Sequence, residues 1–219
     1  MLFSLSGPSS CGKSTLINYF DEPTNRYCVV DVLNHRFARE VLEKMRLTID
    51  DMKKSLDKTI EYHFALYKYR ANIEDDYLKK NKNKFNTLIE RNLSDSIIYF
   101  FLQLIPHHEE SQSELNDIIS LFYKYLDQFD YFKDYYNLCI NKTKENCYKI
   151  LYISEIPKVE NDGTRISDLT FINNQKILFN EILEKEFKDQ LVVINSITII
   201  DRLFDISGIL NKHYDYLKD

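Results

Sequence analysis

The hydrophobic residues of this chain fall into two patterns: short continuous runs, and longer stretches with helical spacing. Five short apolar runs predict buried β-strands, at residues 2–6, 26–32, 85–89, 148–154 and 191–194. Apolar residues three and four apart predict α-helices at residues 13–20, 35–45, 94–105, 115–132, 169–187 and 197–210, and one long or two shorter helices at 49–78. Strands therefore alternate with helices, which is the order of an α/β protein.

Strands that alternate with helices join through right-handed crossovers and form a mainly parallel sheet, with its ligand site at the carboxyl ends of the strands. We predict a single α/β domain over residues 1–219, with a five-stranded, mainly parallel sheet between two helical layers. The charged, tyrosine-rich stretch 48–84 predicts a helical insertion on the substrate side of the sheet. The polar stretch 155–168 predicts a loop over the ligand site, here called the lid.

Composition narrows the class of protein. Hydrophobic residues make up 44% of the 219 residues, too many for a disordered chain. The formal net charge of −5 argues against a protein that holds duplex DNA through phosphate contacts, although a local basic groove stays open. No apolar run approaches the roughly 20 residues that cross a bilayer. The four cysteines lack metal-ligand spacing, so we expect a reduced, cytoplasmic protein.

The most specific motif lies between the first predicted strand and the first predicted helix. The residues Gly7-Pro8-Ser9-Ser10-Cys11-Gly12-Lys13-Ser14 fit GxxxxGK[ST], the pattern of a phosphate-binding loop (P-loop). Backbone N–H groups of such a loop form a pocket for the β-phosphate of a nucleoside triphosphate. Lys13 should bridge the β- and γ-phosphates, and Ser14 should offer its hydroxyl to Mg²⁺. The motif thus predicts ATP and Mg²⁺ as ligands, with nucleotide contacts from Gly7, Ser9, Ser10, Cys11, Gly12, Lys13, Ser14 and Thr15.

A second segment, residues 90–99, reads Glu-Arg-Asn-Leu-Ser-Asp-Ser-Ile-Ile-Tyr. It resembles the Asp-Arg-x-x-x-[Ser/Asp]-x-x-Ala-Tyr signature of thymidylate kinases and deoxynucleoside kinases, with Glu90 where those families have Asp. The resemblance implies a P-loop kinase in which Glu90, Arg91 and Asp95 contact the substrate. Glu90 would also hold Mg²⁺ beside Ser14, or act on the acceptor hydroxyl. A buried ion pair of Arg91 with Glu90 or Asp95 is the structural alternative.

Two further segments resemble phage-type ATP-binding proteins related to the nicotinamide riboside kinase domain. Residues 36–40 read Arg-Phe-Ala-Arg-Glu and are similar to the Glu-x-Ala-Arg segment of that group, with Arg36 in place of Glu. Residues 162–165 read Asp-Gly-Thr-Arg, and Asp-Gly-x-Arg is common in the lid of the same group. The resemblance implies that Arg36 and Arg39 bind the substrate and that Arg165 closes on the transferring phosphate. A solvated helix face for Arg39 and a solvated loop for Arg165 are the alternatives.

Phosphoryl transfer is catalysed mainly by positioning and charge stabilisation, so a kinase needs cations at the γ-phosphate and an acid near the acceptor. We expect the catalytic residues to be Lys13, Asp31, Arg91 and Arg165. Asp31, at the end of the second predicted strand, is the expected base, with Glu90 as its rival. Arg70 and Glu74, one helical turn apart, either face the acceptor or pair with one another on the surface.

These patterns predict an ATP- and Mg²⁺-dependent kinase of a small nucleotide or nucleoside, with a deoxynucleoside monophosphate as the best choice of acceptor. Three alternatives stay open. The acceptor could be a nucleic-acid hydroxyl, such as a polynucleotide end or a modified base, which the acidic net charge disfavours. The chain could instead be an NTPase switch or an inactive ATP-binding module. No membrane partner is expected, and a homodimer is one possible assembly.

Overall fold

The structure is a computed structural model that describes residues 1–22, 28, 30–33, 37–80, 86–108, 117–156 and 169–215. The strands are β1 (Leu2–Ser6), β2 (Val30–Leu33), β3 (Asn86–Glu90), β4 (Lys149–Ile153) and β5 (Leu191–Ile194). The helices are α1 (Lys13–Asp21), α2 (Phe37–Met45), α3 (Ile49–Lys54), α4 (Leu56–Lys80), α5 (Leu93–Leu104), α6 (Ile118–Gln128), α7 (Asp130–Asn146), α8 (Leu169–Glu186) and α9 (Ile199–Asp215). A short 3-10 turn, Ile105–His107, follows α5.

All five strands are parallel and lie in the order β2-β3-β1-β4-β5. The central strand β1 has β3 on one side and β4 on the other, so the chain winds away from it in both directions. A crevice forms at such a switch point, outside the carboxyl ends of the strands. The predicted α/β class is confirmed, and the sheet is parallel throughout.

Helices cover both faces of the sheet because alternate residues of a strand point to opposite sides. On one face, Leu5 and Leu151 belong to a buried cluster with Leu16 of α1 and Ile206 of α9. On the other face, the ring of Tyr152 stacks on Phe179 of α8 with centroids 5.9 Å apart. The predicted three-layer architecture is therefore confirmed.

The chain divides into two compact units. The first consists of Met1–Asn34, Tyr77–Asn92 and Asn146–Asp219 and contains the sheet. The second consists of His35–Asp76 and Leu93–Glu145 and is helical where it is described. Aromatic side chains fill the core of the second unit: Phe100, Phe101, Phe132 and Tyr135 are fully buried. The single-domain boundary at residues 1–219 stays a prediction.

One helix predicted for the second unit is wrong, and the number of helices in another predicted stretch is now known. The predicted helix 115–132 is wrong, because α6 ends at Gln128 and Phe129 adopts an extended conformation before α7 begins. The ring of Phe129 packs 4.5 Å from that of His108, a contact outside the helical pattern. The predicted stretch 49–78 forms two helices, and a capping box between Thr48 and Asp51 starts the first of them. None of the helices described is both long and apolar enough to span a membrane.

Candidate active site

The predicted P-loop connects β1 to α1 at the carboxyl edge of the sheet. Two of its residues must be glycine. Gly7 has φ +146° and Gly12 has φ +92°, which L side chains rarely adopt. A Cβ on Gly7 would lie 2.8 Å from the carbonyl oxygen of Ile153, and one on Gly12 would lie 2.9 Å from Cδ1 of Ile199. The motif thus has the strand, loop and helix context that its chemistry requires.

Lys13 lies folded over its own loop. Its Nζ donates hydrogen bonds to the carbonyl oxygens of Gly7 (2.8 Å) and Pro8 (2.7 Å), and the side chain is only 3% exposed. Gly12, at the start of α1, has no side chain with which to cap the first backbone N–H groups of the helix. The loop therefore concentrates an ammonium group and a helix N-terminus, both of which favour an anion.

Ser14 and Glu90 meet beside the loop. Oγ of Ser14 donates a 2.9 Å hydrogen bond to Oε1 of Glu90. Glu90 is the last residue of β3 and lies opposite Leu5 of β1, close to the point where the P-loop begins. Hydroxyl and carboxylate oxygens are the hard ligands that Mg²⁺ prefers. The structure brings together the two residues predicted as metal ligands.

The chain turns sharply after Glu90. Arg91 has φ +66°, a left-handed conformation that costs a non-glycine residue roughly 1–2 kcal/mol. Two hydrogen bonds fix the turn to the central strand: the N–H of Arg91 donates to Leu5 O (2.8 Å), and Nδ2 of Asn92 donates to Ser6 Oγ (2.9 Å). Strained residues of this kind occur often at functional sites. The turn holds Arg91 at the carboxyl edge of the sheet, as predicted from its place after a strand.

Sequence reasoning missed two fully buried polar residues that contact the P-loop. Oε1 of Gln175, on α8, accepts a 2.8 Å hydrogen bond from the N–H of Ser9. Arg202, on α9, donates to the carbonyl oxygen of Cys11 at 2.6 Å. Each is a polar residue within the buried, apolar face of its helix. That break in the pattern is a signal the sequence does contain, although it cannot name the partner.

The predicted position of Asp31, at the end of the second strand, needs correction. Asp31 is the second of four residues in β2, not its end, and it lies opposite Thr87 near the start of β3. Thr87 precedes Glu90 by three residues, so Asp31 is about 10 Å from the level of Glu90 along the strand direction. Its Oδ2 accepts a hydrogen bond from the hydroxyl of Tyr77. Burial, and then this hydrogen bond, raise the pKa of Tyr77. The register argues against Asp31 as the base.

The predicted substrate residues of the second unit have distinct environments. Arg70 and Glu74 form an ion pair with Nε and Oε1 2.6 Å apart, but the pair is buried and not on the surface as one alternative had it. The guanidinium of Arg70 lies 4.8 Å from the ring centroid of Phe37. Arg39 is exposed on α2, and Asp95 is buried in the first turn of α5. The predicted residues Arg36 and Arg165, and most of the lid, lie outside the described residues.

Solved structures of thymidylate kinase and of NadR have a fold similar to that of this chain. No protein-family model and no curated protein matches the sequence. Thymidylate kinase from Candida albicans superposes with a TM-score of 0.58 at 13% identity, over 97% of this chain and 91% of that one. NadR protein in complex with NR gives a TM-score of 0.55 at 14% identity, over 96% of this chain. NadR in complex with NAD and AMP-PNP gives 0.54 at 15%, over 98%. The chain spans about half, 49%, of the NadR chains that it matches.

Proposed function

We propose that this protein is an ATP- and Mg²⁺-dependent kinase that transfers the γ-phosphoryl group to a small nucleotide acceptor, a deoxynucleoside monophosphate. The observation that carries the proposal is the 2.9 Å hydrogen bond from Ser14 to Glu90. It joins the P-loop hydroxyl to a carboxylate at the end of the neighbouring strand. A carboxylate beside the P-loop hydroxyl is the arrangement that binding of Mg²⁺ with a nucleoside triphosphate requires. The P-loop kinase fold supports the same activity.

The residues present fit Mg²⁺. Oγ of Ser14 would be a direct ligand, and the carboxylate of Glu90 would hold the ion directly or through water. When bound, the ion would neutralise charge on the β- and γ-phosphate oxygens as the phosphoryl group leaves. Glu90 is partly exposed, so its carboxylate remains reachable from the solvent side of the loop.

The P-loop residues would bind and orient the nucleotide. Lys13 would leave the carbonyl oxygens of Gly7 and Pro8 and donate to the phosphates, exchanging neutral acceptors for charged ones. The backbone N–H groups at the start of α1 would hold the β-phosphate. In the transfer, an acceptor oxygen forms a bond to the γ-phosphorus while the bond from that phosphorus to the bridging oxygen of ADP breaks. Arg91, at the same edge of the sheet, would orient the acceptor phosphate as a planar cation.

The position of Asp31 bears on the class of acceptor. An alcohol must lose a proton when it attacks, so a kinase of a nucleoside or of a nucleic-acid end benefits from a base at the P-loop. A phosphate monoester attacks through an oxygen that carries no proton. Asp31 lies near the opposite end of the strands from the loop. Glu90 already accepts a hydrogen bond from Ser14. A monophosphate acceptor, which needs no base, therefore fits the site better than an alcohol.

The predicted substrate residues of the second unit differ in exposure. The buried pair of Arg70 and Glu74, beside the ring of Phe37, combines fixed hydrogen-bond groups with an aromatic face. Because Arg70, Glu74 and Phe37 are all buried and pack on one another, this cluster favours a structural role over contact with an acceptor. Arg39 is exposed on α2 and keeps its predicted role as a substrate contact in this proposal. Arg36, Arg165 and Asp95 keep their predicted roles as part of this proposal.

The test is conversion of ATP to ADP with Mg²⁺, measured against deoxynucleoside monophosphates, nucleosides, nicotinamide riboside and hydroxyl-ended DNA. We expect a monophosphate to raise ADP formation and to be converted to its diphosphate. Phosphorylation of an alcohol instead would correct the acceptor and would require a base, for which Glu90 and Asp31 are the candidates. If ATP binds and no acceptor raises turnover, the kinase proposal is wrong and a switch or an inactive module takes its place.

Lys13→Ala provides the matched loss-of-function variant. We expect no measurable transfer and no stabilisation by ATP in a thermal melt, because the ammonium group is the only side-chain cation within the P-loop sequence. Lys133→Ala, at an exposed position of α7, is the control and should behave as the wild type. Full activity of Lys13→Ala would overturn the assignment of the loop.

A further inference from the structure

Arg202 is a fully buried cation on the first turns of α9. Its guanidinium donates to three backbone carbonyl oxygens: Nη1 to Cys11 (2.6 Å), Nη2 to Glu155 (2.8 Å) and Nε to Ser196 (2.7 Å). These oxygens belong to the P-loop, to the chain that leaves β4 and to the chain that leaves β5. One side chain thus ties together three segments at the carboxyl edge of the sheet.

The contact with Cys11 acts on a phosphate-binding group. The carbonyl of Cys11 and the N–H of Gly12 belong to the same peptide unit. A donor that holds the carbonyl oxygen fixes the orientation of that peptide, and it polarises the N–H at the other end. The N–H of Gly12 lies at the start of α1, where a phosphate would bind. Arg202 is therefore one peptide plane away from the anion site.

The close packing of this region agrees with that arrangement. A Cβ on Gly12 would lie 2.9 Å from Ile199 and 3.5 Å from Nη1 of Arg202, so the loop rests directly on the first turns of α9. Thr198 caps this helix by accepting from the N–H of Asp201, which fixes where its first turn begins. The guanidinium can reach the loop because the helix starts at that point.

The charge of Arg202 is offset only in part. Its hydrogen bonds go to carbonyl oxygens, and the carboxylate of Glu155, which favours the charged form of Arg202, also lies 3.7 Å from Nζ of Lys176. Burial lowers the pKa of Arg202, yet the guanidinium stays protonated at neutral pH because its ordinary pKa is far higher. A buried cation is costly, and an anion bound in the adjacent loop reduces that cost.

We propose that Arg202 is the positioning residue of the P-loop, which sets the Cys11–Gly12 peptide for phosphate and places a buried positive charge behind it. This inference rests on the proposed function, since it assigns a role within the same nucleotide site. Its effect should follow the phosphates of the ligand and not the base.

The experiment measures binding of ADP and of pyrophosphate, in one Mg²⁺ buffer, to the full-length wild type and two variants. Arg202→Met removes the charge and all three hydrogen bonds. Arg202→Lys keeps the charge but cannot reach three carbonyl oxygens at once. The control is Asn86→Ala, since Nδ2 of Asn86 donates to the carbonyl oxygen of Leu210 on the same helix but far along it from the loop (2.8 Å). Circular dichroism melts report folding for each protein.

We expect Arg202→Met to lower the affinity for ADP and for pyrophosphate by about 10- to 100-fold, the effect of a lost charge-assisted hydrogen bond. Arg202→Lys should recover part of that loss, and Asn86→Ala should bind like the wild type despite a lower melting temperature. Equal binding by the wild type and the folded Arg202 variants overturns this inference alone. If Arg202→Met does not fold, Arg202→Lys decides. Failure of the wild type to bind either ligand overturns the proposed function as well.

Discussion

The hydroxyl of Ser14, on the first turn of α1, lies 2.9 Å from the carboxylate of Glu90, at the end of β3. The two residues are 76 positions apart in the chain, and the sheet order brings them together by placing β3 next to β1. A hydroxyl that binds Mg²⁺ needs a neighbouring carboxylate or phosphate to complete an octahedral site. We propose that Glu90 supplies that carboxylate, although the kinase signature that residues 90–99 resemble has aspartate at the matching position. The longer side chain still reaches the loop.

Glu90→Gln removes the charge of this residue and keeps its hydrogen bond with Ser14. The amide oxygen can still accept from Ser14, but it binds Mg²⁺ poorly. We expect the rate of transfer to fall by about 10²-fold, the size of a lost electrostatic contribution to a transition state. A higher Mg²⁺ concentration should be needed for half-maximal rate. The measurement is ADP formation as Mg²⁺ is varied.

Glu184→Gln, at an exposed position of α8, is the control for a lost carboxylate and should leave the Mg²⁺ dependence unchanged. A Glu90→Gln enzyme with the Mg²⁺ dependence of the wild type would exclude this residue from the metal site.

Asp31→Asn tests whether this residue is the base. Because Asp31 lies opposite Thr87 and accepts from Tyr77, its substitution should affect the anchoring of α4 and not the chemistry. We expect a transfer rate within about threefold of the wild type at saturating substrates, with a lower melting temperature. Tyr77→Phe removes the same hydrogen bond from the other side and should have a similar effect. A well-folded Asp31→Asn protein with a rate reduced a hundredfold would restore this residue as the base.

The sequence was sufficient to predict those structural features that depend on residues close together in the chain. β1, the P-loop and the start of α1 follow from a short apolar run, two glycines and Lys13, so their places were correct. The register of β2 was not predictable, since it depends on which residues of β3 it faces. Asp31 lies opposite Thr87, three residues before Glu90, and not at the end of its strand as predicted. The break at Phe129 has the same cause, because an aromatic contact with His108 overrides a continuous helical pattern. The contacts of Gln175 and Arg202 with the loop span 166 and 191 positions, beyond any local pattern.

Glu74→Gln should lower the stability of the protein, because the ion pair of Glu74 with Arg70 is buried. Removing one partner leaves a charge uncompensated in the protein interior, which typically costs about 3 kcal/mol or more of unfolding free energy. Replacing both residues, as Arg70→Met with Glu74→Leu, should recover much of that loss because no charge remains buried. Urea denaturation measures each value. Destabilisation of less than about 1 kcal/mol by Glu74→Gln would indicate that the pair is accessible to water.

Because of His63, the folding stability of the protein should decrease in acid. The side chain is buried, its ring stacks on Phe100 with centroids 4.4 Å apart, and its Nε2 lies 2.9 Å from Oε1 of Gln103. Gln103 supplies an acceptor, so Nε2 carries the proton of the neutral ring. Nδ1 has no hydrogen-bond partner among the residues that the structure describes. A second proton there would create a buried and unsatisfied charge, and burial accordingly lowers the pKa of His63 to about 4.

The direction of the pH effect follows from that lowered pKa. As the pH falls below the ordinary histidine value of about 6.5, the unfolded chain binds the proton and the folded chain does not, so stability decreases. The loss continues until both states are protonated near pH 4, and it amounts to at most about 3 kcal/mol. His63→Phe keeps the aromatic stack and removes the titration. Urea denaturation at several pH values measures the unfolding free energy of each protein. The value for the wild type minus the value for His63→Phe should therefore decrease as the pH falls from 6.5 to 4. Parallel curves over that range would show that His63 is already protonated in the fold, or solvated.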